Sequence, residues 1–138
     1  MKANEAAFLE LIKKSPQFSI PIYQRTYSWT EKECRQLWDD ILRTGERKDI
    51  PSHFVGAIVY ITKSAHETIL SPSSLLVIDG QQRLTTLTLL VAALTKYLNS
   101  LPEAEREPIE GVSPNKLRSY YLVNREEGGE KHFRLILT

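Results

Sequence analysis

Apolar residues recur at helical spacing in three stretches of the chain and crowd together in three shorter ones. Over residues 4–14, Phe8, Leu11 and Ile12 fall at i, i+3 and i+4, which predicts a helix that Pro16 ends. Residues 18–22 read as a short extended piece. Pro21 cannot donate to a ladder and places that piece at a sheet edge. Thr30 and Glu33 form a T-x-x-E capping box, and Cys34, Leu37, Trp38, Ile41 and Leu42 follow as one apolar stripe. Gly45 is the expected stop of that helix, and Trp38 is expected in the core. Residues 53–62, with Phe54, Val55, Ile58, Val59, Tyr60 and Ile61, predict a mostly buried strand.

The second half of the chain is punctuated as clearly. Residues 63–73 are polar, contain Pro72 and read as a loop. A short buried strand over 75–78 can pair back across it as a hairpin. Asp79-Gly80 breaks that strand and opens a long helix over 81–100, with Leu84, Leu87, Val91, Leu94 and Leu98 on its inner face. A loop rich in proline and acid covers 101–113. Ser113-Pro114 then supplies the cap and first turn of another short helix. Gly128-Gly129 marks a turn, and residues 133–137 read as a strand. The sequence stops inside that strand signal, so it is expected to be part of a longer protein.

Composition narrows the classes. A chain of 138 residues fits one domain and is long enough for a core without staples. Hydrophobic residues at 41% and charged residues at 25% exclude a disordered chain. A formal net charge of +1 argues against binding nucleic acid through a broad basic face, though not against a local basic site. Cys34 is the single cysteine, which rules out an internal disulfide and fits a reducing cytoplasm. It lies on an apolar stripe, which argues against a reactive thiol. His53, His66 and His132 lack metal-ligand spacing. Residues 1–14 are amphipathic and charged, unlike a secretory signal. The apolar run 84–101 is broken by threonines and a lysine and reads as a buried helix, not a membrane span.

The strongest candidate chemistry lies where the 75–78 strand feeds through D-G-Q-Q-R, Asp79 to Arg83, into the long helix. The first turn of a helix has unpaired N–H groups and a positive dipole end, which together favour phosphate. Gly80 permits close backbone approach, Gln81 and Gln82 add amide donors, and Arg83 adds a planar fork. A cation in a first turn is locally unfavourable unless an anion binds beside it. Asp79 can hold Mg²⁺ or orient a water. A plain structural reading stays open: Asp79 as N-cap, with Gln82 closing a D-x-x-Q capping box.

A second constellation is I-P-I-Y-Q-R-T-Y-S-W, from Ile20 to Trp29. Tyr23, Tyr27 and Trp29 surround Gln24 and Arg25 and can stack a base beside a phosphate contact, or anchor a loop with Trp29 stapling onto the next helix. A third is H-F-V-G, His53 to Gly56. Its glycine suggests a bulge or a close approach, and its histidine can face a site or serve the fold. Asp39 and Asp40 are neighbours on a helix, do not share a face and read as solvated. P-loop, G-x-G-x-x-G, G-x-S-x-G and H-N-H nuclease patterns are absent from the sequence.

Taken in order, these three motifs and the W-D-D-I segment from Trp38 to Ile41 resemble the N-terminal domain of GmrSD-type restriction endonucleases, over nearly the whole chain. The resemblance implies a compact α+β domain of the ParB/sulfiredoxin-like kind, a small sheet packed with helices. It implies binding and hydrolysis of a nucleoside triphosphate with Mg²⁺, in a cytoplasmic defence against phage DNA that is often modified. It also implies a helical region and an H-N-H-type nuclease domain as C-terminal partners, outside residues 1–138. Carried over by position, Asp79, Gln82 and Arg83 are the expected catalytic residues and Asp79 the metal ligand. Gly80, Gln81, Arg83, Tyr23, Gln24 and Arg25 are the expected nucleotide contacts. The alternative is a non-catalytic module in which the segment from Tyr23 to Trp29 reads modified DNA and Asp79 to Arg83 shapes the pocket. A third is a protein-interaction domain without a ligand.

Overall fold

The computed structural model describes residues 2–23, 26–62 and 74–137. The polar loop expected at 63–73 and the site candidates Gln24 and Arg25 lie outside the described residues. Helix α1 (Phe8–Lys14) starts four residues later than expected and ends before Pro16. Strand β1 (Phe18–Ile20) leads into α2 (Glu31–Glu46), then β2 (Val59–Thr62), β3 (Leu75–Asp79) and α3 (Gln81–Ser100). A four-residue helix, α4 (Pro114–Leu117), widens into a π turn over Arg118–Leu122, and β4 (Leu135–Leu137) comes last. The result is an α+β fold, as the sequence resemblance implies.

The sheet runs β2-β3-β1-β4, with β1 parallel to both β3 and β4 and β2 antiparallel to β3. The expected β2–β3 pairing is therefore present. The expected edge position of residues 18–22 is not. Phe18, Ser19 and Ile20 are 1%, 0% and 5% exposed, in the middle of the sheet. Pro21 falls just after the strand, where its missing N–H breaks no ladder bond. The core gathers Ile12, Phe18, Ile20, Val77 and Leu84, with Tyr121 and Leu135 against it. Full burial of each such side chain contributes about 1.5–3 kcal/mol.

Four further expectations are corrected. Residues 53–62 are not one buried strand: 51–58 is irregular, and all four residues of β2 are exposed at the sheet edge. Trp38 is not core. It is 48% exposed, and of the α2 stripe Leu37 alone is buried. Gly45 does not stop α2, which runs one residue further to Glu46, with Arg47 as its C-cap. In α3, Leu84, Leu87 and Leu98 are buried as expected, but Leu94 is exposed and Thr95 takes an inner place, its hydroxyl donating to the Val91 carbonyl at 2.8 Å. Among the described residues, no helix is long and apolar enough to cross a membrane.

Arg134 ties the far end of the fold together. Its guanidinium donates to the carbonyls of Ile12, Lys13 and Ser15 at the end of α1, and to Ser119 and Val123 around the π turn. Its own carbonyl accepts from Phe18 N at 2.7 Å. A Lys at this position lacks the planar fork that reaches several carbonyls at once. Burial holds the Arg134 pKa below its usual value, with the cation's charge balanced by carbonyl dipoles.

These local contacts can be tested at both ends of the molecule. Arg134→Ala leaves helix-end carbonyls unpaired and is expected to cost on the order of 2–4 kcal/mol, read as a lower urea midpoint. At the other end, the expected capping box is present: Thr30 N donates to the Glu33 carboxylate at 2.7 Å and the Thr30 side chain accepts from the Glu33 backbone, while the Thr30 hydroxyl also donates to that carboxylate. The Thr30 hydroxyl, with its backbone N–H next, holds the Glu33 pKa below its ordinary 4.5. A depressed folded-state pKa stabilises above the unfolded value and loses that stabilisation as pH falls through the folded one. The Tm difference between wild type and Glu33→Gln is therefore expected at neutral pH and should vanish below the ordinary glutamate range.

Candidate functional site

Parallel strands β1 and β3 end at the same edge of the sheet, so the loops that leave them start side by side. In open sheets with parallel strands, ligands bind beyond such carboxyl ends. The loop after β1 carries Thr26 to Trp29, and the turn after β3 is the start of α3. Between them lies a cleft of about 210 Å³ lined by Ser28, Trp29 and residues 79–83.

Gln82 joins its two walls. Its Oε1 accepts from Ser28 N at 2.8 Å and Trp29 N at 3.3 Å, and its Nε2 donates to the Thr26 carbonyl at 3.1 Å. One turn on, Thr86 meets the Tyr27 hydroxyl at 2.9 Å, which also lies 3.5 Å from Cys34 Sγ. Burial, then the Cys34 contact, raises the Tyr27 pKa above its ordinary value, so the phenol stays protonated at neutral pH. The D-x-x-Q capping-box reading is thereby overturned. Gly80 is the N-cap of α3, Asp79 lies outside the helix, and Gln82 faces the 26–29 loop.

Asp79 owes its exposure to a defect in the ladder. Val59 pairs with Asp79 but Tyr60 pairs with Val77, so Ile78 is an extra residue in β3. Strict alternation would send Asp79 to the buried face with Val77. The bulge breaks the alternation, and both Ile78 and Asp79 are exposed. Asp79 Oδ1 then accepts from Gly80 N at 2.8 Å.

Gly80 has φ 90°, and a Cβ there would stand 2.7 Å from the Ala57 carbonyl oxygen. No side chain caps α3, and its first turn holds no acid. The N–H groups of Gln81, Gln82 and Arg83 have no intrahelical acceptor, because a helix leaves its first ones unpaired. The cleft thus combines a helix N-terminus with one carboxylate and one guanidinium.

Arg83 lies over Gly56. A methyl on Gly56, whose φ is 113°, would fall 2.6 Å from the Arg83 Cζ. Arg83 Nη1 donates to the Ala57 carbonyl at 3.3 Å, and among the described residues no carboxylate pairs with it. The close approach expected at Gly56 is therefore real, although it occurs in an irregular segment and the approaching group is a side chain. His53 does not line the cleft; its Nε2 lies 3.4 Å from Asp40 Oδ2.

Of the expected site residues, Asp79, Gly80, Gln81, Gln82 and Arg83 line one cleft. Tyr23 is 78% exposed and outside that lining. Ser28 and the Ala57 carbonyl are additions that the sequence does not announce. A backbone carbonyl has no signature in the sequence, whereas Thr86, at i+4 from Gln82, is available from helical spacing. Among the described residues, no group of three or more His, Cys, Asp or Glu could hold a metal. A larger cleft of about 430 Å³ adjoins Gln17, Asn124 and Arg134. The side chains of Gln17, Asn124 and Arg134 there are already committed to backbone carbonyls, including Glu130 and Phe133 for Gln17 and Pro16 for Asn124.

Gly56→Ala is expected to cost about 1–3 kcal/mol through positive-φ strain and displacement of Arg83. Denaturation of the single and double variants checks it: in an Arg83→Ala background the steric share disappears and the cost falls.

A search among curated proteins finds no match to this chain. The profile of one family matches residues 8–137, spanning the cleft, both of its walls and the whole sheet. That family is described as GmrSD restriction endonuclease, N-terminal domain, and the chain belongs to it.

Proposed function

We propose that this domain binds a nucleoside triphosphate by its phosphates at the Asp79–Arg83 turn and hydrolyses it, regulating a nuclease that acts on modified DNA. The observation that carries the reading is the juxtaposition of an uncapped α3 N-terminus with an arginine that lacks a carboxylate partner among the described residues. Both favour the same kind of ligand, a multiply charged anion.

The cleft volume of about 210 Å³ is below the roughly 300–1,000 Å³ of sites that enclose whole small molecules. The reading is therefore that the phosphates enter and the nucleoside stays outside, with Tyr23, Gln24 and Arg25 kept as its proposed contacts. The N–H groups of Gln81, Gln82 and Arg83 and the Arg83 guanidinium hold the phosphate oxygens. Gln82 is assigned to the catalytic group with Asp79 and Arg83. Its amide is bonded to three backbone groups of the 26–29 loop, so its part is to fix the cleft's geometry.

A single carboxylate suits Mg²⁺, which takes one or two protein oxygens and completes its shell with phosphate and water. Asp79 would hold it through the oxygen not used by Gly80 N, and the ion would supply charge neutralisation on the phosphates. Asp79 also orients the attacking water. Partners of the full enzyme in this reading are the nucleotide, modified DNA and a C-terminal nuclease domain.

One observation favours the second reading, a DNA-sensing module without catalysis. Tyr23 is 78% exposed near the start of the Ile20–Trp29 motif, available to stack on a base.

The two readings part in a thermal-shift experiment with each of four nucleoside triphosphates plus Mg²⁺. At about a hundred times its dissociation constant, a ligand stabilises by roughly 2.7 kcal/mol. A shift with a nucleotide that disappears in Arg83→Ala is the expected result, followed by loss of turnover in the same variant. No shift with any nucleotide, but a shift with modified and not with unmodified duplex, would put the sensing reading first.

A further inference from the structure

The irregular run from Pro51 to Ala57 has two polar tethers among the described residues. One is the Ala57 carbonyl, which accepts from Arg83 at 3.3 Å. The other is His53, whose Nε2 lies 3.4 Å from Asp40 Oδ2 on α2. Asp40 is well placed to hold a partner. Its side chain is 16% exposed, and its other oxygen accepts from Gln36 at 3.0 Å and Arg43 at 3.2 Å. Gly56, the residue beneath the Arg83 guanidinium, is three positions from His53.

The geometry points to His53 as a positioning residue for Arg83, holding through Asp40 the Gly56–Ala57 shelf on which the arginine rests. The chain of contact runs from α2 through Asp40 and His53 to the shelf and then to the guanidinium. His53 touches no ligand in this scheme. Its removal lets the shelf move, and Arg83 loses a fixed orientation toward whatever anion enters the cleft. The expected ligand effect rests on the phosphate-binding reading above; the effect on Arg83 itself does not.

The test uses ¹⁵N-labelled protein, with the Arg83 Nε–H resonance identified by its absence in Arg83→Ala. Its heteronuclear NOE reports how firmly the side chain is held on the ps–ns timescale. His53→Ala is expected to lower that NOE. His53→Gln places an amide nitrogen near the position of Nε2 and is expected to restore it. Asp40→Asn, which keeps the shape and removes the charge, serves as a second route should His53→Ala fold poorly, and is expected to lower the NOE as well.

In parallel, the affinity for inorganic tripolyphosphate with Mg²⁺ is expected to fall roughly tenfold in His53→Ala, the lower end of what loss of a supporting partner costs a binding site. An unchanged Arg83 NOE in both His53→Ala and Asp40→Asn would overturn the inference, whatever happens to affinity. So would a loss that His53→Gln leaves unrepaired. If wild type binds no tripolyphosphate, the phosphate reading fails while the arginine signal still decides the role of His53.

Discussion

Both walls of the cleft are positioned by the three residues of β1. A strand this short gains little from its own hydrogen bonds. It is fixed because parallel neighbours lie on both sides and because Phe18 and Ile20 are sealed in the core. The parallel pairing with β3 brings the exits of two strands to one edge, although Phe18 and its partner Leu75 stand far apart in the chain. Without that pairing, Gln82 would have no loop to bind, and the start of α3 would be an ordinary surface helix end. The opposite end of β1 is anchored by the Arg134 carbonyl and, through the same residue's side chain, to the end of α1. One arginine thus fixes where the central strand begins, and one glutamine fixes the loop beyond its end.

The polar clasps differ in kind. Arg134 is a cation surrounded by carbonyl oxygens, all of them backbone, with each of its three side-chain nitrogens bonded within the fold. Arg83 spends one contact on a carbonyl, and the face opposite its glycine shelf is not covered by a carboxylate among the described residues. The same side-chain type therefore serves architecture at one end of the sheet and is left available at the other. Charge alone does not distinguish the two; the count of satisfied donors does.

Local features are the ones legible in the sequence. The Thr30–Glu33 box, the Ser113-Pro114 start and the whole extent of α3 rest on contacts within a few residues, and each stands where its residues imply. The D-G-Q-Q-R turn is legible for the same reason, since a strand, a glycine and a helix start are adjacent in the chain. The mismatches concern neighbours distant in sequence. Pro21 suggests an edge because its missing donor is visible, whereas the two partners of β1 are not. Residues 53–62 have the composition of a buried strand but sit at the margin, where most of them meet no partner strand at all. The amide of Gln82 can be assigned to a cap by spacing, but its true partners, Thr26, Ser28 and Trp29, lie more than fifty residues away.

The bulge at Ile78 makes the cleft a matter of counting as well as of chemistry. It is the extra residue in β3 that turns Asp79 out of the core and delivers Gly80 at the right height against Ala57. A related chain could carry all five letters of the turn and yet pair the strand before it without the bulge. Its aspartate would then fall on the buried face with Val77, and its glycine would stand out of register with Ala57. Lineages that keep the letters are therefore not guaranteed to keep the cleft, and the spacing upstream of the motif is the part to compare when deciding which ones do.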